Sequence, residues 1–351
     1  MPRYPHPAST AAGFSDVVFG PPRAGDAASS SAYPLHVGDT YLEPLAAAQA
    51  EAQRTAEHPR LHNYAPVQGE SELLDAIQRK LARRSGAAVQ RDNIQVMAGA
   101  TPAMGVIANA LFMPGDEVLV PAPFWPLIRG AVSLRGAVCV EVPLFTRLRE
   151  PGFDPVAELA ARIGPRTVAL YINSPHNPTG ETLGEQVAAE LVALAQKHDL
   201  WLLTDEVYED LWFGARAPRS IWTLPGARER AIVTHSVSKA YGLAGARVGY
   251  THGPAEIMRV IRGVQTFFTY CAPRPMQLGA ARALDHGDEW LARARALYGE
   301  AGARAAEVLG LPPPSGGTFL FFDTRPYRKA GEPPEAFLQR CLEAGVVLTP
   351  G

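Results

Sequence analysis

Residues 236–247 read S-V-S-K-A-Y-G-L-A-G-A-R, directly after a short apolar run at 231–233 with the character of a buried strand. Lys239 sits among two small hydroxyl residues, Ser236 and Ser238, and a glycine-rich turn, with Arg247 eight residues further on. A lysine amine whose surroundings lower its pKa condenses with an aldehyde to give a Schiff base. Serines and an arginine alongside suit a phosphate carried by the same aldehyde. Pyridoxal 5′-phosphate carries both groups, and a lysine linkage is its usual mode of attachment. Taken alone, S-x-S-K is equally compatible with a solvated loop lysine. The sequence around it has to decide.

Upstream, strand-like and helix-like stretches alternate. A strand at 94–98 runs through Gly99-Ala100-Thr101 into a helix over about 102–112, with Pro102 suited to its first turn. Such a turn offers free backbone N–H groups with the positive end of the helix behind them, although a plain connection would read the same way. A strand at 117–120 leads to P-A-P-F-W-P, where Phe124 or Trp125 has either a planar ring to stack on or core to fill. Another strand follows at 138–142. The β-branched run at 167–172 has the composition of a strand buried on both faces, and it opens into N-S-P-H-N-P-T-G at 173–180. His176 in that loop has no visible partner and reads as structural. A helix over 185–198 and a buried strand at 200–204 end in Asp205-Glu206-Val207-Tyr208. A carboxylate at the mouth of a buried strand is costly without a cation or strong donors, so Asp205 needs a partner unless loop water solvates it. A protonated ring nitrogen would serve.

Downstream, a strand at 246–251, helices at 255–266, 276–285 and 290–307, and the break P-P-P-S-G-G at 312–317 precede a strand at 318–322, a helix at 335–344 and a strand at 346–348. The alternation predicts an α/β domain over about 40–268 and a smaller, mixed α+β unit over 269–351. Residues 1–32, rich in Pro, Gly, Ala and Ser, read as an extended or partly disordered arm, and 1–39 as that arm with part of the small domain.

Composition excludes several classes. At 351 residues two domains are expected. A net charge of −2 gives no reason to expect a nucleic acid or an anionic membrane as partner. Cys139, Cys271 and Cys341 are odd in number and far apart, which argues against a disulfide framework or a zinc site and fits a reducing cytosol. No apolar run reaches membrane-helix length, and the N-terminus lacks a secretory core, so a cytoplasmic protein is expected.

The ordered set Y-x-x-x-x-G (from Tyr64), G-A-T (from Gly99), P-F-W, N-P-T-G, D-E-V-Y and S-x-S-K-x-x-x-L-x-G-x-R resembles fold-type I pyridoxal-phosphate enzymes, and more narrowly the class I/II aminotransferases related to aspartate aminotransferase. The resemblance spans about 33–351. It implies a large domain with a mostly parallel seven-stranded sheet flanked by helices, plus a smaller α+β domain. It also implies a homodimer with shared active sites. Lys239 would form the Schiff base and then move a proton between the substrate α-carbon and the cofactor's C4′. Asp205 would pair with the pyridinium nitrogen, Asn177 and Tyr208 would donate to the ring's phenolate oxygen, and Trp125 would stack on the ring. Gly99, Ala100 and Thr101 at the helix start, with Ser236, Ser238 and Arg247, would hold the phosphate, and Tyr64 would reach the phosphate of the neighbouring subunit. Gly38 would offer its backbone near the substrate carboxylate, with Asn177 also on the substrate side. No metal is implied.

The pattern departs from the family at one point. Members carry a C-terminal arginine that forks onto the substrate carboxylate, some distance after a segment like G-V-V-L-T-P-G. Here that segment is 345–351 and the chain stops, with Arg340 on a preceding helix a poor substitute; the expectation is a natural chain that continues. Amino transfer between an amino acid and a 2-oxo acid is the first reading. A β- or γ-lyase or synthase acting on sulfur or adenosylmethionine-type substrates uses the same residues, and a non-catalytic regulator domain is the reading from a different class. With no basic residue assignable to a side-chain carboxylate, and with Phe124, Phe267, Phe268 and Tyr270 available to line a pocket, the substrate leans to neutral or aromatic amino acids.

Overall fold

A computed structural model describes residues 32–36, 38–86 and 88–350; the expected arm therefore lies, Ala32 apart, outside the described residues, as does Gly351. Seven strands form the central sheet: β2 (Ile94–Met97), β3 (Glu117–Ala122), β4 (Val138–Pro143), β5 (Thr167–Asn173), β6 (Trp201–Asp205), β7 (Ala231–Ser236) and β8 (Gly249–His252). Their order is β2-β8-β7-β6-β5-β3-β4. Only β8 is reversed, pairing antiparallel with both β2 and β7, while β7, β6, β5, β3 and β4 pair in parallel.

The sheet is buried on both faces because alternate residues serve different cores. Leu119, Leu170, Leu202 and Val233 belong to one apolar cluster, to which α2 (Ser71–Ser85) contributes Leu73, Leu74 and Ile77, and α6 (Glu185–Lys197) contributes Leu191 and Val192. Val118, Val120, Tyr171, Leu203 and Ile232 face the other, with Met104 and Ile107 from α3 (Ala100–Leu111) and Met258 and Ile261 from α8 (Ala255–Phe268). Beyond α8 lie α9 (Arg274–His286), α10 (Asp288–Val308) and α11 (Pro334–Glu343); α9 packs back onto α2. A second, two-stranded sheet joins β1 (Tyr33–Pro34) to β9 (Val346–Val347) in parallel.

Three local expectations need correction. The helix expected from Pro102 begins two residues earlier, at Ala100. Pro102 is still within the first turn, where a missing N–H breaks no helical hydrogen bond. The strand expected from Ala246 begins at Gly249, because Ala244–Ala246 winds into a 3-10 turn and Arg247 adopts a left-handed conformation, φ 51°. The segment 318–322, read as a strand, is not one. Just before it, Ser315 and Gly316 N–H donate to the Gly180 carbonyl at 2.9 and 3.0 Å, and Gly317 N–H donates to Leu211 O at 2.7 Å. The chain is pinned to the loops after β5 and β6 instead of to a strand of the central sheet.

Gly249 packs closely against β7 and the start of α3. A Cβ there would stand 2.6 Å from His235 O, 3.2 Å from Gly99 C and 3.3 Å from Ala100 N. Gly249→Ala is expected to cost about 1–3 kcal/mol by overpacking, measured by denaturant unfolding. A loss under about 0.5 kcal/mol would show that β8 does not press on the start of α3.

Candidate active site

The carboxyl ends of the parallel strands, where open α/β sheets place their ligands, carry the residues singled out in the sequence. Asp205, the last residue of β6, is only 5 % exposed. Its carboxylate accepts from the Tyr171 hydroxyl at 2.9 Å and from Val207 N–H at 3.3 Å. No lysine or arginine among the described residues pairs with it, and burial, opposed by those two donors, pushes its pKa up to about 6. Loop solvation is thus ruled out for Asp205. Tyr171, one strand over, carried no signal in the sequence beyond its place in an apolar run.

Lys239 lies in the one-turn helix α7 (Val237–Ala240) that follows β7, and its Nζ donates to the Gly38 carbonyl. Burial lowers its pKa; Asp39 opposes the shift and Arg247 adds to it. Around Gly38 the chain is crowded: its Cβ position would be 3.4 Å from the Phe319 ring and 3.9 Å from Lys239 Nζ. Phe319 meets the Tyr208 ring edge-on at 5.4 Å. Tyr208 is buried, which with the Asp205 charge holds its hydroxyl protonated, the Asn177 side chain opposing the shift. Asn177 is fixed in turn by its own N–H, which donates to Asn173 Oδ1 at 2.7 Å. Asp205, Tyr208, Asn177, Lys239 and Gly38 therefore share one region.

A second group converges next to it. Gly99 caps α3 with φ 95°, a conformation that favours glycine, and no side chain caps the helix, leaving its first N–H groups free of side-chain partners. A Cβ at Gly99 would meet Arg247 Nη2 at 2.5 Å. The Arg247 guanidinium donates to Ala244 O at 2.8 Å and pairs with no carboxylate among the described residues. Ser236 Oγ accepts from Ser238 N–H at 3.1 Å, and the two hydroxyls lie 2.8 Å apart. A helix N-terminus, two hydroxyls and a free guanidinium form a cradle for a dianion.

The remaining candidates lie further out. Trp125 is half-buried past β3, packed on the α3 side of the sheet. Tyr64 is 82 % exposed and meets Tyr270 edge-on at 5.0 Å. Phe267 and Phe268, expected to line a pocket, are exposed at the end of α8. Arg340 is held by Glu332 at 3.0 and 2.8 Å and by Tyr327 O at 3.0 Å, so it has no free fork for a substrate. His176 stacks on Phe145 at 3.3 Å and bonds Thr179 Oγ1 at 2.8 Å, and burial brings its pKa down to about 3, as suits a structural residue.

The sequence profile described as aminotransferase class I and II matches residues 29–351. The chain belongs to this family. It is 36 % identical over 290 residues to an arginine–pyruvate transaminase of Pseudomonas aeruginosa, covering 80 % of this chain and 72 % of that one. It is 36 % identical over 310 residues to a probable aspartate/prephenate aminotransferase of Thermus aquaticus, covering 86 % and 79 %. An aspartate aminotransferase structure from Thermus thermophilus superposes with a TM-score of 0.81 at 30 % identity, over 91 % of this chain and 84 % of that one. The aminotransferase is therefore a pyridoxal-phosphate-dependent fold-type I enzyme. Its own residues fit the cofactor: Asp205 is a buried carboxylate lacking a cation, Arg247 a guanidinium lacking an anion, and Gly99 gives Arg247 room at the start of α3.

For the cofactor-free aminotransferase the raised pKa of Asp205 has a definite sign. The folded state binds this proton more tightly than the unfolded chain, so the stability contribution is greatest below about pH 4 and is lost as pH rises towards 6. Asp205→Asn apoprotein is expected to be about 2–3 kcal/mol more stable than wild type at pH 8, with the advantage vanishing near pH 4. Parallel stability–pH curves for the two proteins would show that Asp205 is not a strained carboxyl.

Proposed function

We propose that the enzyme transfers the amino group of a neutral or aromatic amino acid to a 2-oxo acid, with Lys239 carrying the cofactor. The observation that carries the substrate reading is the aromatic wall beside Lys239: Phe319 packs on Gly38 and against Tyr208. When bound, pyridoxal phosphate supplies the electron sink that makes the amino acid's α-proton removable. The chain's residues do the rest. Lys239, whose pKa burial lowers, would attach the cofactor through its amine and move the proton between the substrate α-carbon and C4′. Asp205 keeps the ring nitrogen protonated, Asn177 and Tyr208 donate to the ring oxygen, and Trp125 stacks on the ring face. The first amides of α3 at Ala100 and Thr101, the Ser236 and Ser238 hydroxyls and Arg247 hold the phosphate. Gly38 and Asn177 contact the substrate.

The same reading includes a homodimer with shared sites. Its support is the exposed set Tyr64, Phe267, Phe268 and Tyr270, with Tyr64 available to a neighbouring subunit's phosphate. It includes a small domain made of the N-terminal segment and residues 269–351, supported by the β1–β9 pairing, around a large domain at 40–268. It also includes a cytoplasmic location, supported by three free cysteines; among the described residues no helix is long and apolar enough to cross a membrane.

The test is a half-reaction. Cofactor-loaded protein mixed with phenylalanine or leucine, without a 2-oxo acid, is expected to give stoichiometric pyridoxamine phosphate and the matching 2-oxo acid, at least tenfold faster than with aspartate or arginine. Catalytic release of ammonia or a thiol would replace transfer with elimination, and preference for aspartate or arginine would overturn the substrate class. Lys239→Ala is expected to lose the borohydride-fixed cofactor; fixation on another lysine would move the central assignment.

A further inference from the structure

The turn after β6 sends its side chains two ways. Asp205 and Tyr208 belong to the region around Lys239, whereas Glu206, Glu209 and Asp210 enter a buried ionic network on the α2 side. Glu206 Oε1 accepts from Ser220 Oγ at 3.0 Å and from Ile221 N–H at 3.1 Å. Glu209 takes Lys80 Nζ at 3.1 Å, Arg84 Nε at 3.3 Å and His235 Nδ1 at 2.9 Å, and Asp210 also pairs with Lys80. Burial pushes Glu209 up, but Lys80, His235 and Arg84 more than offset it and hold the carboxyl well below its usual range. Lys80 and Arg84 are thus matched by Glu209 and Asp210. Glu206, which burial pushes up, faces the same cluster, as do the Tyr241 and Tyr250 hydroxyls.

His235 is the member that reaches the cofactor side. It precedes Ser236 on β7, so the two side chains point to opposite faces of the sheet. Its ring stacks on Tyr250 at 4.6 Å, and its Nε2 lies 3.1 Å from His252 Nε2. The proton positions follow from the partners. A carboxylate only accepts, so His235 Nδ1 carries a hydrogen and donates to Glu209. The Nε2···Nε2 contact needs one donor, and His252 Nδ1 is buried with no partner. An N–H there would be an unpaired buried donor, so His252 carries its hydrogen on Nε2 and donates to His235. One neutral arrangement satisfies every N–H. Burial drives the His252 pKa well below its usual value, in accord with that arrangement.

We propose that His235 is a positioning residue of the cofactor site. By donating to Glu209 from beneath the sheet it ties the end of β7, which carries Ser236 and leads into Lys239 on α7, to the turn that carries Asp205 and Tyr208, and so fixes the separation between the ring-nitrogen and phosphate ends of the site. This rests on the reading that Asp205 and Ser236 hold pyridoxal phosphate.

The test compares His235→Asn, whose amide can donate to Glu209 in place of Nδ1–H, with His235→Leu, which cannot. Expected for His235→Leu are a tenfold or greater rise in the pyridoxal phosphate dissociation constant and a displaced pH midpoint of the bound cofactor's visible absorption; His235→Asn stays within about threefold of wild type. A merely structural role would lower the melting temperature of both variants and leave both readouts unmoved, and that outcome overturns the inference. If His235→Leu does not fold, His235→Ser, whose hydroxyl is too short to reach Glu209, is expected to raise the dissociation constant and displace the midpoint in the same way, and unmoved readouts overturn the proposal. Long-range nitrogen-15 NMR of the histidine-labelled holoenzyme is expected to show the hydrogen on Nδ1 of His235 and Nε2 of His252; the opposite tautomers overturn it without any variant. Wild type that fails to bind pyridoxal phosphate would instead remove the cofactor reading itself, a result distinct from equal binding by wild type and His235→Leu.

Discussion

A carboxylate buried without a cation is the constraint on which this structure turns. Asp205 ends a strand covered on both faces, and the protein gives it two hydrogen-bond donors, one from a side chain and one from the backbone, but no counter-charge. Such a group is tolerated only where the surroundings are too rigid to let it reach water or a lysine. The rigidity is visible. Tyr171 donates from the neighbouring strand in register, β5 pairs Asn173 with Asp205, and β7 pairs Thr234 with Asp205 on the other side. Three adjacent parallel strands therefore hold one charge in place, and a cationic ring nitrogen is the partner we propose for it.

Chemistry and support are divided along a single turn. In the six residues from Asp205 to Asp210, Asp205 and Tyr208 meet the Lys239 region, while Glu209 and Asp210 pair with Lys80 of α2 on the opposite side. Buried ion pairs of this kind contribute little net stability compared with apolar packing, but they are demanding in geometry. Their value here lies in fixing a turn whose other side chains must stand at defined distances.

Much of this was legible in the sequence. The β-branched runs at 167–172 and 231–233 announced doubly covered strands, and the motifs at Gly99, Asn177, Asp205 and Lys239 fell at the carboxyl ends of strands or the start of a helix because the βα rhythm puts them there. What was not legible depends on contacts without local signature. Lys80 meets Asp210 across 130 residues, and nothing around a lysine on an amphipathic helix distinguishes a buried ion pair from a solvated one. Segment 318–322 has strand composition, yet among the described residues no neighbouring strand pairs with it, and it passes as irregular chain with Phe319 beside Tyr208. Phe267 and Phe268 read as pocket-lining because composition records apolarity and not direction; α8 turns them outward.

Arg247 links the two halves of the site in a way that bears on reactivity. Its guanidinium lies over Gly99 at the phosphate cradle, and its charge also helps to depress Lys239. A bound dianion would neutralise that charge, and the arginine's influence on the lysine would fade as the cradle fills. The largest cause of the depression is burial, which a phosphate does not remove. The Gly38 carbonyl accepts from Nζ as an amine or an ammonium, and more strongly from the ammonium, so it does not itself lower the lysine's pKa. Burial around α7 is therefore the main influence that favours the neutral amine an aldehyde needs, and the Arg247 charge the smaller one.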